Sequence, residues 1–338
     1  MSVRAFVSGA AGLRLDPAET AFFAEAQPFG LILFRRNVES REQVRALVDE
    51  FRSAVGRHAP VLIDQEGGRV QRLTAPVWHK APSAARVAKA AREGGMYLAW
   101  IAGRLIAADL AEVGIDVDCA PCLDLQIPGQ SEIIGDRSFG EDPETVAELA
   151  LAFALGLEKG GVMPVIKHMP GHGRALVDSH ERLPVVDAPH EVLAATDFAP
   201  FRTLARLPAA MTAHVVYTAI DPAGPATTSR RVIDTIIRGE IGFDGLLFSD
   251  DVSMGALSGT IPERALRCLD AGCDVVLHCN GSMDEMTALA GVVPALTAEA
   301  ERRAAAALAT IRTPDPDDLD ALRAELALAL AAAEAPLA

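Results

Sequence analysis

Gly161-Val162-Met163-Pro164-Val165-Ile166-Lys167-His168-Met169-Pro170-Gly171-His172-Gly173 joins an apolar run of strand length to a lysine and two histidines. An unbroken apolar run of this length is what a strand buried on both faces requires, as in a parallel sheet. A buried strand has no use for so many titratable groups, whereas a loop at a strand end that performs chemistry does. Asp178-Ser179-His180 follows within a few residues and adds a carboxylate and a third imidazole.

The same pattern recurs on both sides. Apolar runs at 4–9, 30–34, 60–63, 115–120, 162–167, 209–214, 245–249 and 274–278 alternate with helical stretches. Among these are a helix opened by Asp16 and Pro17, one over 40–55 capped by Ser40, and further helices at 94–113, 143–159, 190–206 and 230–239. Eight short strands alternating with helices predict an α/β fold, a TIM-type (β/α)8 barrel. A doubly wound open sheet is the alternative, but no GxGxxG follows the first strand. From residue 296 the texture changes to alanine-rich helices at 297–311 and 318–333, broken by Pro314-Asp315-Pro316-Asp317. This divides the chain into a barrel domain, 1–295, and a helical tail, 296–338, expected to pack on the outside of the barrel. A monomer or weak dimer is expected.

Half of the 338 residues are hydrophobic, enough for a full core, and the net charge of -15 argues against a nucleic-acid partner. Cys119, Cys122, Cys268, Cys273 and Cys279 lie on or beside apolar runs and read as reduced packing residues. No run approaches the ~18 apolar residues of a membrane span, and the N-terminus lacks an apolar leader. No membrane partner is expected, and the cytoplasm is the expected compartment.

In a barrel of this type the active site lies at the C-terminal ends of the strands. Asp64, Asp118, Asp124, Lys167, His168, His214, Asp250, Asp251 and His278 all fall there. Each alone is explained by a cap or a turn, but six strands ending this way is a pattern. Asp64, His168, His172, His214 and Asp250 would suit a metal-dependent hydrolase. Against this, no HxH pair sits on an early strand, and Lys167 would repel a cation. Glycoside chemistry on paired acid groups is the other reading.

Five blocks carry a family resemblance. They are Ile63-Asp64-Gln65-Glu66-Gly67-Gly68-Arg69-Val70-Gln71-Arg72-Leu73, Ile134-Gly135-Asp136-Arg137-Ser138-Phe139-Gly140, Lys167 to Gly173, Asp178-Ser179-His180 and Phe248-Ser249-Asp250-Asp251-Val252-Ser253-Met254. In this order, across roughly residues 5–285, they resemble glycoside hydrolase family 3, and within it the bacterial β-N-acetylhexosaminidases. Met169 stands where the family usually has Phe, and Gly255-Ala256 follows Ser253-Met254 where a Glu is common.

The resemblance implies a retaining exo-β-N-acetylglucosaminidase acting on peptidoglycan-derived muropeptides of the GlcNAc-anhydroMurNAc type in cell-wall recycling. It implies Asp250 as nucleophile, His180 as acid/base paired with Asp178, and Asp64, Arg72, Arg137, Lys167 and His168 as sugar-binding residues. No metal and no cofactor is implied. A phosphorylase using the same residues, in which phosphate rather than water attacks the glycosyl-enzyme, is the close alternative. A non-catalytic sugar-binding barrel is the more distant one.

Overall fold

The computed structural model describes residues 2–127, 129 and 133–335; Met1 and the last three residues of the tail, within the domain limits given above, lie outside them. Eight strands form the barrel: β1 (Arg4–Gly9), β2 (Pro28–Leu33), β3 (Val61–Ile63), β4 (Val117–Asp118), β5 (Met163–Met169), β6 (Ala209–Thr212), β7 (Leu246–Asp251) and β8 (Val275–His278). They pair in parallel and in sequence order, and β1 closes the ring on β8. The TIM-type barrel expected from the sequence is the fold. Every residue of β2 and β5 is buried, as strands covered on both faces must be.

The core has two layers. Inside the ring, Phe29, Ile32, Val165, Met211 and Phe248 fill the barrel, with Phe29 and Phe248 meeting edge to face at 6.0 Å. Outside it, the apolar faces of the helices pack on the outward strand residues. Helix Pro17–Ala26 starts with a reciprocal Asp16–Glu19 capping box, and helix Arg41–Val55 with Ser40 accepting from the Gln43 N–H.

Several elements differ from the sequence reading. Strand four is Val117–Asp118, shorter than 115–120. The Asp116 carboxylate takes the Val61 N–H at 2.7 Å, and Pro121 has no N–H to extend the ladder. The stretch 94–113 is the second of two helices, Ala84–Gly94 and Tyr97–Glu112, separated at Gly95, whose φ of 72° is left-handed. The helix at 190–206 is two short ones, His190–Ala195 and Ala199–Thr203, with Pro200 in the first turn of the second. Val232–Glu240 is wound as a π-helix. Helix Ile261–Ala271 packs on β8 and helix Met283–Ala290 on β1.

The alanine-rich helix Ala298–Leu308 does not lie along the barrel wall. Its Ala304 and Ala307 join the interior cluster, together with Leu308 and Ile311, so it closes the N-terminal end of the ring. The final helix, Leu319–Glu334, lies outside, on Ala84–Gly94 and Tyr97–Glu112. All five cysteines are buried and unpaired. Among the described residues no helix is long and apolar enough to cross a membrane.

Candidate active site

The C-terminal ends of the strands surround a cavity of ≈ 280 Å³. Asp64, Arg72, Arg137, Lys167, His168, His180 and Asp250 all line it, so the structure brings together seven of the eight residues singled out from the sequence. The eighth, Asp178, stands behind His180: the imidazole Nδ1 lies 2.8 Å from its Oδ1. The same carboxylate accepts the His180 backbone N–H at 2.8 Å, which folds the loop back on itself. Burial works to raise the Asp178 carboxyl, but these bonds to His180 hold it below its usual value.

The floor of the cavity is a chain of alternating charges. Lys167 Nζ donates to Asp64 Oδ1 and lies equally close to Glu66 Oε1, both at 2.7 Å. Arg72 donates to the other oxygen of Asp64 at 3.1 Å. Arg137 donates both arms of its fork to Glu66 at 2.8 Å. Burial opposes the charges of Asp64, Glu66, Lys167 and Arg137, yet the opposite charges beside them win. Asp64 is driven well below the ordinary carboxylate range and Glu66 to about 2, while Lys167 and Arg137 are driven up. Arg72 also lies over the Phe34 ring at 5.2 Å, forming a wall of the cavity.

Glu66 is the main residue the sequence reading missed. Its signal was present in the spacing: it lies two positions after Asp64, and in extended chain alternate residues share a face. Asp124, noted in the sequence at the end of strand four, was given no role there. Its carboxylate takes His168 Nδ1–H at 2.7 Å and the His172 backbone N–H at 2.6 Å. This leaves His168 Nε2 facing the cavity, 3.4 Å from Arg137.

Cys122, Asp124 and His168 offer ligand atoms within 4.8 Å of one another. Asp124 is already saturated with donors, the Cys122 thiol at 3.2 Å among them. Burial also pushes that thiol far up, away from the thiolate a metal would need. The three read as a hydrogen-bonded support for His168.

Asp250 sits near the end of β7, where the register against β8 shifts between Phe248 and Asp251. Irregularities of this kind re-aim side chains beside active sites. Burial tends to raise its carboxyl, but the fields of His214 and His168 and the Asp251 N–H hold it low. Asp251 turns away to bind the N–H and hydroxyl of Ser253 and the Cys279 N–H. His172 is buried and pushed to about 4, first by burial and then by His168.

Two predictions arise from the floor. Lys167→Met leaves Asp64 and Glu66 facing each other without their shared cation. Breaking a buried pair in this way costs about 3–5 kcal/mol. With Arg72 and Arg137 still present, the loss is expected at the lower end, read as a fall in the urea midpoint. An unchanged midpoint would contradict the view of Lys167 as the hub.

The second concerns Asp118, fully buried beneath Lys167, with Oδ1 accepting the Gln65 N–H at 2.9 Å and Oδ2 without a partner. Burial, with Asp64 and Glu66 nearby, raises it to about 8 from 3.8. The folded chain therefore keeps a proton that the unfolded chain releases near 4. Stability from this group declines as pH rises from about 4 to about 8 and is flat above. Asp118→Asn, which stays neutral, should gain stability relative to the parent as pH rises through that window. Parallel stability–pH curves would refute this.

Residues 10–312 match the model of the glycosyl hydrolase family 3 N-terminal domain. A β-hexosaminidase of Alkalilimnicola ehrlichii is 43% identical over 290 residues, covering 80% of this chain and 79% of that protein. A β-hexosaminidase of Tolumonas auensis is 41% identical, with 83% and 84% covered. The crystal structure of NagZ from Neisseria gonorrhoeae in complex with N-trifluoroacetyl-D-glucosamine superposes with a TM-score of 0.87 at 34% identity, covering 99% of both chains.

Proposed function

The chain belongs to glycoside hydrolase family 3, and from that premise we propose that it is a retaining exo-β-N-acetylglucosaminidase of cell-wall recycling. Its substrates in this reading are peptidoglycan-derived muropeptides with a terminal β-linked GlcNAc, and its compartment is the cytoplasm. The observation that carries the reading is a single cavity lined by Asp250, whose carboxyl is held low, and by a histidine backed by a carboxylate, His180–Asp178. The relatives' β-hexosaminidase activity, and the glucosamine derivative held by the neisserial protein, support the choice of sugar.

Asp250 attacks the anomeric carbon as the glycosidic C–O bond breaks, giving a glycosyl ester. His180 donates Nδ1–H to Asp178, so Nε2 is the atom that works on the substrate. Protonated, it delivers its proton to the departing oxygen. Neutral again, it takes a proton from water, whose oxygen attacks the anomeric carbon and frees the Asp250 carboxylate. Two displacements retain the configuration. Asp64, Arg72, Arg137, Lys167 and His168 hold the sugar hydroxyls, with spare lone pairs on Asp64 accepting and the cations donating. A cavity of ≈ 280 Å³ falls just below the usual ~300–1,000 Å³ of ligand pockets, in keeping with one terminal sugar.

Water is preferred over phosphate as the second nucleophile. Within the described lining, Arg72, Arg137 and Lys167 are each matched by Asp64 or Glu66, leaving phosphate no uncommitted cation. Incubation with an aryl β-N-acetylglucosaminide, with and without phosphate, tests this. Free N-acetylglucosamine under both conditions is expected. Sugar 1-phosphate would point to phosphorolysis, and no release at all would refute the glycosidase reading.

A further inference from the structure

The loop bearing Asp178, Ser179 and His180 is held from two sides. On the inner side the buried Ser179 hydroxyl lies 3.2 Å from His172 Nε2. On the outer side the Gly255 N–H donates to the His180 carbonyl and the Ala256 N–H to the Ser179 carbonyl, both at 3.1 Å. Gly255 and Ala256 follow the strand that carries Asp250 after a turn over residues 252–254. The turn between them is fixed by Asp251, which binds Ser253, and by Arg264, which donates to the Val252 and Met254 carbonyls at 2.9 and 3.1 Å. One rigid segment therefore carries Asp250 at one end and grips the histidine loop at the other.

The grip leaves no room for a side chain. A Cβ on Gly255 would lie 2.8 Å from the His180 carbonyl oxygen and 2.9 Å from that of Glu181. Both are backbone atoms, which cannot rotate away as a flexible side chain would. Gly255 does not adopt a left-handed φ, so closeness to the loop, not its own conformation, calls for glycine.

We propose that Gly255 is a positioning residue for the acid/base: its backbone clasps the His180 loop and sets the imidazole at a fixed offset from Asp250. The inference rests on the reading of His180 given above. Because the contact is to backbone, a side chain at 255 moves the ring without altering its chemistry. A misplacement of ~1 Å can cost ~10²-fold in rate.

The test uses Gly255→Val and the milder Gly255→Ala in the full chain, with His180→Gly in parallel. Each is assayed on a GlcNAc-β-1,4-GlcNAc disaccharide and on a dinitrophenyl β-N-acetylglucosaminide, with and without azide. For Gly255→Val, kcat/KM on the disaccharide should fall ~10²-fold or more, as expected for a displaced proton donor. The activated aryl glycoside should lose far less, and azide should speed its turnover. Gly255→Ala should show the same asymmetry on a smaller scale and carries the test should the valine variant not fold. Equal losses on both substrates with no azide effect, or no loss in either variant, would overturn the inference. Should His180→Gly itself lack leaving-group dependence and azide rescue, the acid/base reading fails. Should His180→Gly show them while the Gly255 variants do not, only the clasp fails.

Discussion

Asp250→Ala is expected to lower turnover by at least ~10⁴-fold on every substrate, activated or not, the scale on which removal of a catalytic nucleophile acts. The loss should not depend on the leaving group, because no glycosyl ester can form whatever departs. The residue is built for attack. It stands on a strand rather than a free loop, and Ser249 ties that strand by accepting the Leu277 N–H at 3.0 Å. Its carboxyl is held below its usual value although it is half-buried, because His214 and His168 face it. A 5-fluoro glycosyl inactivator should label a peptide containing Asp250. Asp251→Ala should still be labelled at Asp250, since Asp251 serves the Ser253 turn. Label on another peptide, or appreciable activity in Asp250→Ala, would end the assignment.

His180→Gly should behave differently. General acid/base help is worth ~10²–10⁴-fold, and its loss should fall on substrates that need it. A natural disaccharide, whose departing oxygen must be protonated, should be slowed across that range. A dinitrophenyl glycoside needs little acid to leave, so the ester on Asp250 should form and then accumulate for want of a base to activate water. Azide needs no base and should release it as a glycosyl azide of retained configuration. Asp178→Asn keeps the ring but removes its charged partner at 2.8 Å, and should give a milder version of the same asymmetry. If His180→Gly slowed good and poor leaving groups alike and azide did nothing, the role would have to pass elsewhere. His172 is ill suited to receive it, being buried and pushed to about 4.

The barrel was legible because a parallel strand covered on both faces must be apolar throughout and can change character only at its end. Lys167 and Asp250 stand out for that reason. Pairings that cross the ring were not legible. Glu66 meets Arg137 and Lys167 only once the barrel has closed, and nothing near any of the three announces the other two. Strand four was read too long because apolar periodicity is blind to Asp116 capturing a ladder N–H with its side chain. Gly255 was visible only as a departure from the family pattern. Its reason is a backbone that passes close to it in space, more than seventy residues away in sequence.

The helix Ala298–Leu308 has a consequence for where this chain can be cut or joined. Because Ala304 and Ala307 complete the interior cluster, a chain ending at 295 would open the bottom of the ring to water beneath Phe29 and Phe248. Grafting a second module onto residue 295 would do the same, by pulling the plug away from its seat. The last helix is a safer junction. Leu319–Glu334 rests on the outer helices through two buried leucines and an exposed Arg86–Glu334 pair, and a partner fused beyond it would leave the interior sealed.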